Sequence, residues 1–161
     1  MGIRYTADEA WAFVERAHTG ILTTLRADGS PVTLPVWFVV VDRTVCFTTP
    51  AGTPKVARVR RDPRASFLVE SGQAWAELAA VHLNGLVSVV DDPALVSTVD
   101  RLFDAKYAAF RVPEERMPES ARQAYRERVT LRLVPWERII SWDNSRIPLG
   151  VSGPRRPGER G

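Results

Sequence analysis

Six residues suited to holding an anion fall close together in the chain: Thr48, Thr49, Thr53, Lys55, Arg58 and Arg61. Thr53 followed by Pro54 is a helix start, with a hydroxyl at the N-cap and a proline where no amide is needed. If a short helix runs over 55–61, Lys55 and Arg58 are three apart and share a face, beside the unpaired amides of the first turn. Hydroxyls, helix-start amides and two cations pointing one way are what a phosphate group requires. The same residues on a solvated basic helix would need no ligand, and spacing alone leaves both readings open. Lys55 has a second mark of interest, because only Lys55 and Lys106 among the 22 basic residues are lysines. Where arginine is otherwise chosen, a compact ammonium at position 55 can be a chemical requirement.

Other chemistry is poorly provided for. A Ser/His/acid set needs an oriented histidine, and the two histidines have simpler roles. His18 falls at the end of a first helix, where a cation complements the dipole, and His82 falls inside a strand pattern. No nucleophile elbow and no dinucleotide-binding glycine loop is present. The lone Cys46 excludes an internal disulfide, and with two histidines it leaves too few ligands for a zinc site, so no metal is expected. A chain without its own nucleophile or acid–base set depends on a cofactor for redox or group-transfer chemistry.

The elements that must position these residues follow from local patterns. At 161 residues, with 45% apolar and 25% charged positions, the chain suits one globular domain, read as residues 1–150 with a flexible Pro/Gly-rich tail over 151–161. The net charge of +3 sits largely in that tail, so the pI near 9.5 does not argue for nucleic acid. No apolar run is long enough for a membrane span and no leader pattern opens the sequence, so a cytoplasmic protein without membrane contact is expected. Thr6 and Glu9 form a capping box ahead of Trp11, Phe13 and Val14. The period then changes to strands over 21–25, 32–41 and 45–49, with a tight turn at 27–30. Further strands are predicted over 65–70, over 75–90 with Gly85 as a bulge, and from Val129 to Trp142. Asp92-Pro93 opens a helix bearing Leu95, Val99, Leu102, Phe103 and Tyr107, and Pro118 opens another. Six antiparallel strands with peripheral helices predict a mainly β fold, a small barrel whose closure removes its edges.

These segments, in this order, resemble a known superfamily. TGILTTLRADGSPVTLPVWFVVVD (19–42), TPKVARVRRDPRASFLVE (53–70), LNGLVSVVDDP (83–93) and RIISWDNSRIPLG (138–150) are similar to the flavin/deazaflavin oxidoreductases with a pyridoxamine 5′-phosphate oxidase-like split barrel. The short length and the closing Ser141-Trp142-Asp143 look most like the actinobacterial F420-dependent class B branch.

That resemblance implies a six-stranded split β-barrel (the FMN-binding split barrel) that forms a homodimer, with cofactor sites between the subunits. It implies that Leu34, Pro35, Val36 and Trp37 pass beside the cofactor ring. Thr48, Thr49, Lys55 and Arg58 would hold its phosphate, and Trp75 would wall the ring, from its own or the partner subunit. Trp142 and Asp143 would border the substrate opening. Arg58 stands where relatives commonly carry asparagine. The implied activity is hydride transfer from reduced coenzyme F420 to an electron-poor small molecule, with no catalytic side chain assigned. FMN is the alternative cofactor, and a non-catalytic flavin- or haem-binding barrel is the alternative to an enzyme. Lys55 is expected at the surface of the unliganded protein.

Overall fold

The computed structural model describes residues 3–150, so the expected tail lies outside the described residues. Helix α1 (Ala7–Arg16) opens with the expected capping box: the Thr6 hydroxyl accepts from the Glu9 amide and the Glu9 carboxylate accepts from the Thr6 amide. The strands β1 (Gly20–Leu25) and β2 (Pro31–Val36) form a hairpin around the turn at Asp28 and Gly29. Gly29 has φ +83°, and the Asp28 carboxylate accepts from both the amide and the hydroxyl of Ser30. Then come β3 (Val39–Val41), β4 (Thr44–Pro50), α2 (Pro54–Arg61), β5 (Arg64–Ser71) and β6 (Ala79–Val89). The described chain is completed by α3 (Pro93–Tyr107), α4 (Glu119–Arg126) and β7 (Arg128–Asp143).

Seven strands form one antiparallel sheet in the order β2-β1-β5-β6-β7-β4-β3. The expectation of six strands is corrected here. The run 32–41 reads as one continuous strand, but it breaks at Trp37 and Phe38 into β2 and β3, which lie at opposite edges of the sheet. Only those two residues join the edges, and three Cα–Cα steps reach at most about 11 Å. The sheet must therefore curl until its edges meet, which is the geometry of a split barrel.

The break has a clear cause. A backbone leaving a sheet needs other partners for its polar groups. The Phe38 amide donates to the Tyr107 hydroxyl at 2.9 Å, and the Phe38 carbonyl accepts from that hydroxyl at 2.7 Å and from the Lys106 ammonium at 3.1 Å. The same hydroxyl lies 2.9 Å from the His18 carbonyl, so its single proton is shared between two acceptors. Tyr107 is fully buried on the last turn of α3, which packs against β3. The carrier of the closure is thus a tyrosine from another part of the chain.

The core is filled from both sides of the curled sheet by Val14, Leu22, Phe38, Phe47, Phe67, Leu131 and Leu133, with Cys46 buried among them. Gly85 marks the predicted bulge: the β6–β7 register shifts between Leu83 and Gly85. A Cβ at Gly85 would lie 2.2 Å from the Val134 carbonyl oxygen, so only glycine lets the strands approach there.

Candidate functional site

Helix α2 forms where the sequence predicts it. Pro54 occupies its first turn, Val56 and Val59 are buried on its inner face, and the Asp62 amide closes it on the Arg58 carbonyl. Thr53 stands at the N-cap position, but its hydroxyl makes no capping bond. It lies 3.4 Å from the hydroxyl of Thr49, which is buried on β4. The first-turn amides are therefore not capped by Thr53, and two threonine hydroxyls meet at the helix start.

Lys55 is half-buried rather than on the surface as expected. Burial first, and the neighbouring Arg58 second, push its ammonium below the ordinary lysine value. No carboxylate pairs with it among the described residues. A desolvated cation next to another cation is an arrangement that an incoming anion relieves. Arg58 is fixed by a bond that sequence reasoning did not foresee: its Nε donates to the Thr24 hydroxyl on β1 at 2.8 Å. Arg61 donates to the Leu25 carbonyl at 2.8 Å, so α2 is anchored to β1 twice. Thr48 is half-buried on β4, opposite Thr130 of β7.

The residues expected beside a cofactor ring lie on β2 and its exit. Leu34 and Pro35 are exposed on this edge strand and Val36 is buried. The Thr24 that anchors Arg58 pairs with Val32, so the α2 anchor and β2 adjoin β1 at the same register position. Trp37 is half-buried, and its ring stacks on Tyr107 at 4.5 Å with an interplanar angle of 3°. His18 touches three rings edge-on: Trp37, Tyr107 and Phe110. His18 lies beyond the end of α1, inside an aromatic cluster, rather than on the helix end as expected.

Trp75, Trp142 and Asp143 gather elsewhere. The strand predicted over 75–90 begins only at Ala79, because the Glu77 carboxylate accepts from the amides of Gln73 and Ala74 and folds Trp75–Glu77 into a tight turn. Trp75 is consequently 58% exposed. Asn144 donates to the Trp75 carbonyl at 2.7 Å, which brings this turn beside the end of β7. There Asp143 is held below the usual carboxylate range, chiefly by its bonds to Ser145 and further by Tyr5 and Arg146. It is a structural acceptor that ties the end of β7 to the N-terminal segment.

The two sets are associated with opposite ends of β7. Thr49 pairs with Val129 at the start of the 16-residue β7, whereas Trp142 lies at its other end. The first set, comprising Thr49, Thr53, Lys55, Arg58 and Thr24, gathers hydroxyls and two cations around the start of α2. The second places two exposed tryptophans, Trp75 and Trp142, beside the engaged carboxylate of Asp143.

An apolar row also crosses the outer face of the sheet. Pro35, Ile21, Leu68, His82 and Ile140 are successive register partners on β2, β1, β5, β6 and β7. Pro35 and Ile140 are exposed and the three between them half-buried. Burial holds the His82 imidazole below its ordinary pKa. Among the described residues no three metal-ligating side chains cluster, and no helix is long and apolar enough to cross a membrane.

The family model described as pyridoxamine 5′-phosphate oxidase matches residues 6–134. No curated protein matches the sequence. Among solved structures, a conserved hypothetical protein from Mycobacterium tuberculosis is 28% identical with a TM-score of 0.72, covering 94% of this chain and 95% of that one. An FAD binding protein from Mycobacterium smegmatis is 22% identical with a TM-score of 0.62, over 85% of this chain and 95% of that one. An F420 reductase, also 22% identical, has a TM-score of 0.60 over 80% of this chain and 94% of that one. With the family model matching residues 6–134, which include the β1–β2 hairpin and α2, the chain belongs to the pyridoxamine 5′-phosphate oxidase family of split barrels.

Proposed function

We propose that this protein is an F420-dependent oxidoreductase that reduces an electron-poor small molecule. The observation that carries the reading is Lys55: a half-buried ammonium without an acidic partner among the described residues, at the start of α2, beside the Thr49 and Thr53 hydroxyls and next to the anchored Arg58. That donor set fits the phosphate of a flavin-type cofactor. Structural neighbours include an F420 reductase and an FAD binding protein, which supports this class of cofactor. The Ser141-Trp142-Asp143 resemblance favours F420 over FMN.

When bound, reduced F420 supplies a hydride from its C5 position to an acceptor. The chain's own work is binding and orientation. Lys55, Arg58, Thr48 and Thr49 would hold the phosphate, and the β2 edge from Leu34 to Trp37 would line the ring. Trp37 keeps a fixed orientation because Tyr107 stacks on it. Apolar walls exclude water from the ring and the acceptor. No side chain of the site is assigned as a strong base.

The working form is a homodimer. Trp75, Trp142 and Asp143 gather at the end of β7 opposite to the one that pairs with Thr49, and in the dimer they would complete the site of a second copy. The apolar row from Pro35 to Ile140, with Trp142 beyond it, is the surface that the second copy covers. Sedimentation of the purified protein tests this part, with a dimer expected and Ile140→Asp expected to shift it to monomer. Titration with reduced and oxidised F420, with FMN in parallel, tests the cofactor. Saturable binding of F420 that weakens in Lys55→Ala is expected. A yellow preparation that holds FMN and ignores F420 favours the flavin instead.

A further inference from the structure

Two rings leave the β1–β2 hairpin together at its open end. Gly20 pairs with Val36 there, and His18 lies two residues before that pair while Trp37 lies one residue after it. Nearer the turn, Thr24 pairs with Val32 and anchors Arg58. Leu34, Pro35 and Val36, read above as lining the cofactor ring, therefore lie between the Arg58 anchor and the two rings.

This aromatic corner is held in place by one buried oxygen. The Tyr107 hydroxyl bonds the Phe38 amide and carbonyl and lies 2.9 Å from the His18 carbonyl, so it fixes the backbone beside Trp37 and at His18. The Trp37 and Tyr107 rings are parallel within 3°, with 4.5 Å between centres. The His18 imidazole stands at 78° to the first and 75° to the second. Phe110 continues the imidazole side, 4.5 Å from His18 at 67°. Two aromatic walls thus meet near a right angle over the fully buried Tyr107. Aromatic pairs prefer offset-stacked or edge-to-face geometry, so a flat ring suits such a corner with its face on one wall and its edge against the other. A puckered ring can do neither fully.

The corner also carries a polar handle. Among the described residues neither imidazole nitrogen of His18 has a hydrogen-bond partner. In the neutral imidazole one of them donates and the other accepts. Phe110 is 60% exposed and Val112, two residues on, is 53% exposed, so bulky apolar surface lies uncovered next to that handle. Apolar and aromatic walls with a few placed polar groups are the composition of small-molecule sites.

We propose that His18, Trp37 and Phe110 form the acceptor subsite and select a flat conjugated ring bearing a carbonyl oxygen over a puckered acceptor with the same carbonyl. The acceptor lays its face on the aromatic wall, and its oxygen accepts from the His18 N–H. This subsite deepens the reading of Leu34–Trp37 as the strand beside the cofactor ring and rests on it. His18 and Phe110 determine specificity without contributing to the phosphate site.

The test uses His18→Phe, which keeps an aromatic ring but loses the N–H, and Phe110→Ala, which removes part of the wall. Both side chains are exposed, and an unchanged Tm establishes that each variant folds. Chromone, a flat bicyclic enone, and cyclohexenone, a puckered one, are titrated by calorimetry into protein saturated with oxidised F420, so that no turnover contributes. Each variant is expected to lose about fivefold in chromone affinity, the scale of one aromatic contact or one neutral hydrogen bond. Cyclohexenone and F420 affinities are expected to stay within about twofold of the wild type. Chromone affinity unchanged in both variants overturns the subsite, and an equal loss for cyclohexenone overturns the selection of flat rings. A loss of F420 affinity as large as that of chromone also overturns it, because the residues then belong to the cofactor's own site. If F420 does not bind the wild type, the cofactor reading falls, and chromone titrated into the unliganded proteins decides the corner. A fivefold loss in the variants then supports it, and equal binding or none overturns it.

Discussion

Replacing Tyr107 by Phe removes one oxygen from the point where the sheet closes on itself. The ring stays stacked on Trp37 at 4.5 Å, so packing is nearly unchanged. What disappears is the partner of three backbone groups: the Phe38 amide at 2.9 Å, the Phe38 carbonyl at 2.7 Å and the His18 carbonyl at 2.9 Å. The Phe38 carbonyl keeps Lys106, but the amide of this fully buried residue is left without an acceptor. A buried unsatisfied donor costs about 1–3 kcal/mol, and the second carbonyl adds a smaller loss, so the variant should be destabilised by about 2–4 kcal/mol. For a domain of this size that corresponds to a fall of roughly 5–15 °C in Tm. Urea denaturation followed by tryptophan fluorescence reads the change as a lower midpoint at constant slope. A loss below about 0.5 kcal/mol would refute the reasoning, because it would mean that Phe38 does not depend on this hydroxyl for its hydrogen bonds.

Other perturbations have equally definite outcomes. Lys55→Ala should weaken cofactor binding by about 1.5–3 kcal/mol in a fluorescence titration, the scale of a hydrogen bond to a charged group. Because burial and Arg58 already disfavour the charge at Lys55, the unliganded variant should be at least as stable as the wild type in thermal denaturation. Gly85→Ala should abolish the soluble fold or strongly lower its Tm, since the new methyl meets the Val134 and Pro135 backbone rather than a movable side chain. Lys106, lowered to about 8 by burial and partly restored by Glu15, should give a pH signature. Its folded-state value lies below its unfolded value, so the cost of burying its charge is present below pH 8 and is relieved as pH rises toward 10.5. The stability of the wild type relative to Lys106→Met, measured by urea denaturation, should therefore rise across that window and stay flat below it.

The parts of the fold that were legible in the sequence are those settled within a few residues. The Thr6/Glu9 capping box, the Asp28-Gly29 turn, the bounds of α2 and the Gly85 bulge each follow from local chemistry that no distant residue overrides. The break between β2 and β3 was not legible: Pro35 marks an edge strand, but no residue from Val36 to Val41 marks where the run leaves it. Its cause is a tyrosine 69 positions away. Trp75 reads as strand until the Glu77 carboxylate is allowed to compete for the amides before it.

The candidate site divides in the same way. Lys55 and Arg58 could be placed together from helix spacing alone, whereas Thr24, the hydroxyl that fixes Arg58, depends on how α2 packs on β1. The distance between Lys55 and the Trp142 end of β7 is likewise a matter of register across β4 and β7. Of the two conspicuous lysines, Lys55 stands at the helix start that the anion reading requires. Lys106 has a different task, donating to the Phe38 carbonyl and lying 4.1 Å from the centre of the Phe38 ring.

The central claim is that the start of α2 holds the phosphate of F420. Isothermal titration of F420 into the purified wild-type protein and into Lys55→Ala tests it most directly. The account predicts saturable binding to the wild type, tighter than that of FMN, and a loss of about ten- to hundredfold in the variant, the equivalent of 1.5–3 kcal/mol. Equal F420 affinity in the two proteins, or no binding to either, would contradict it.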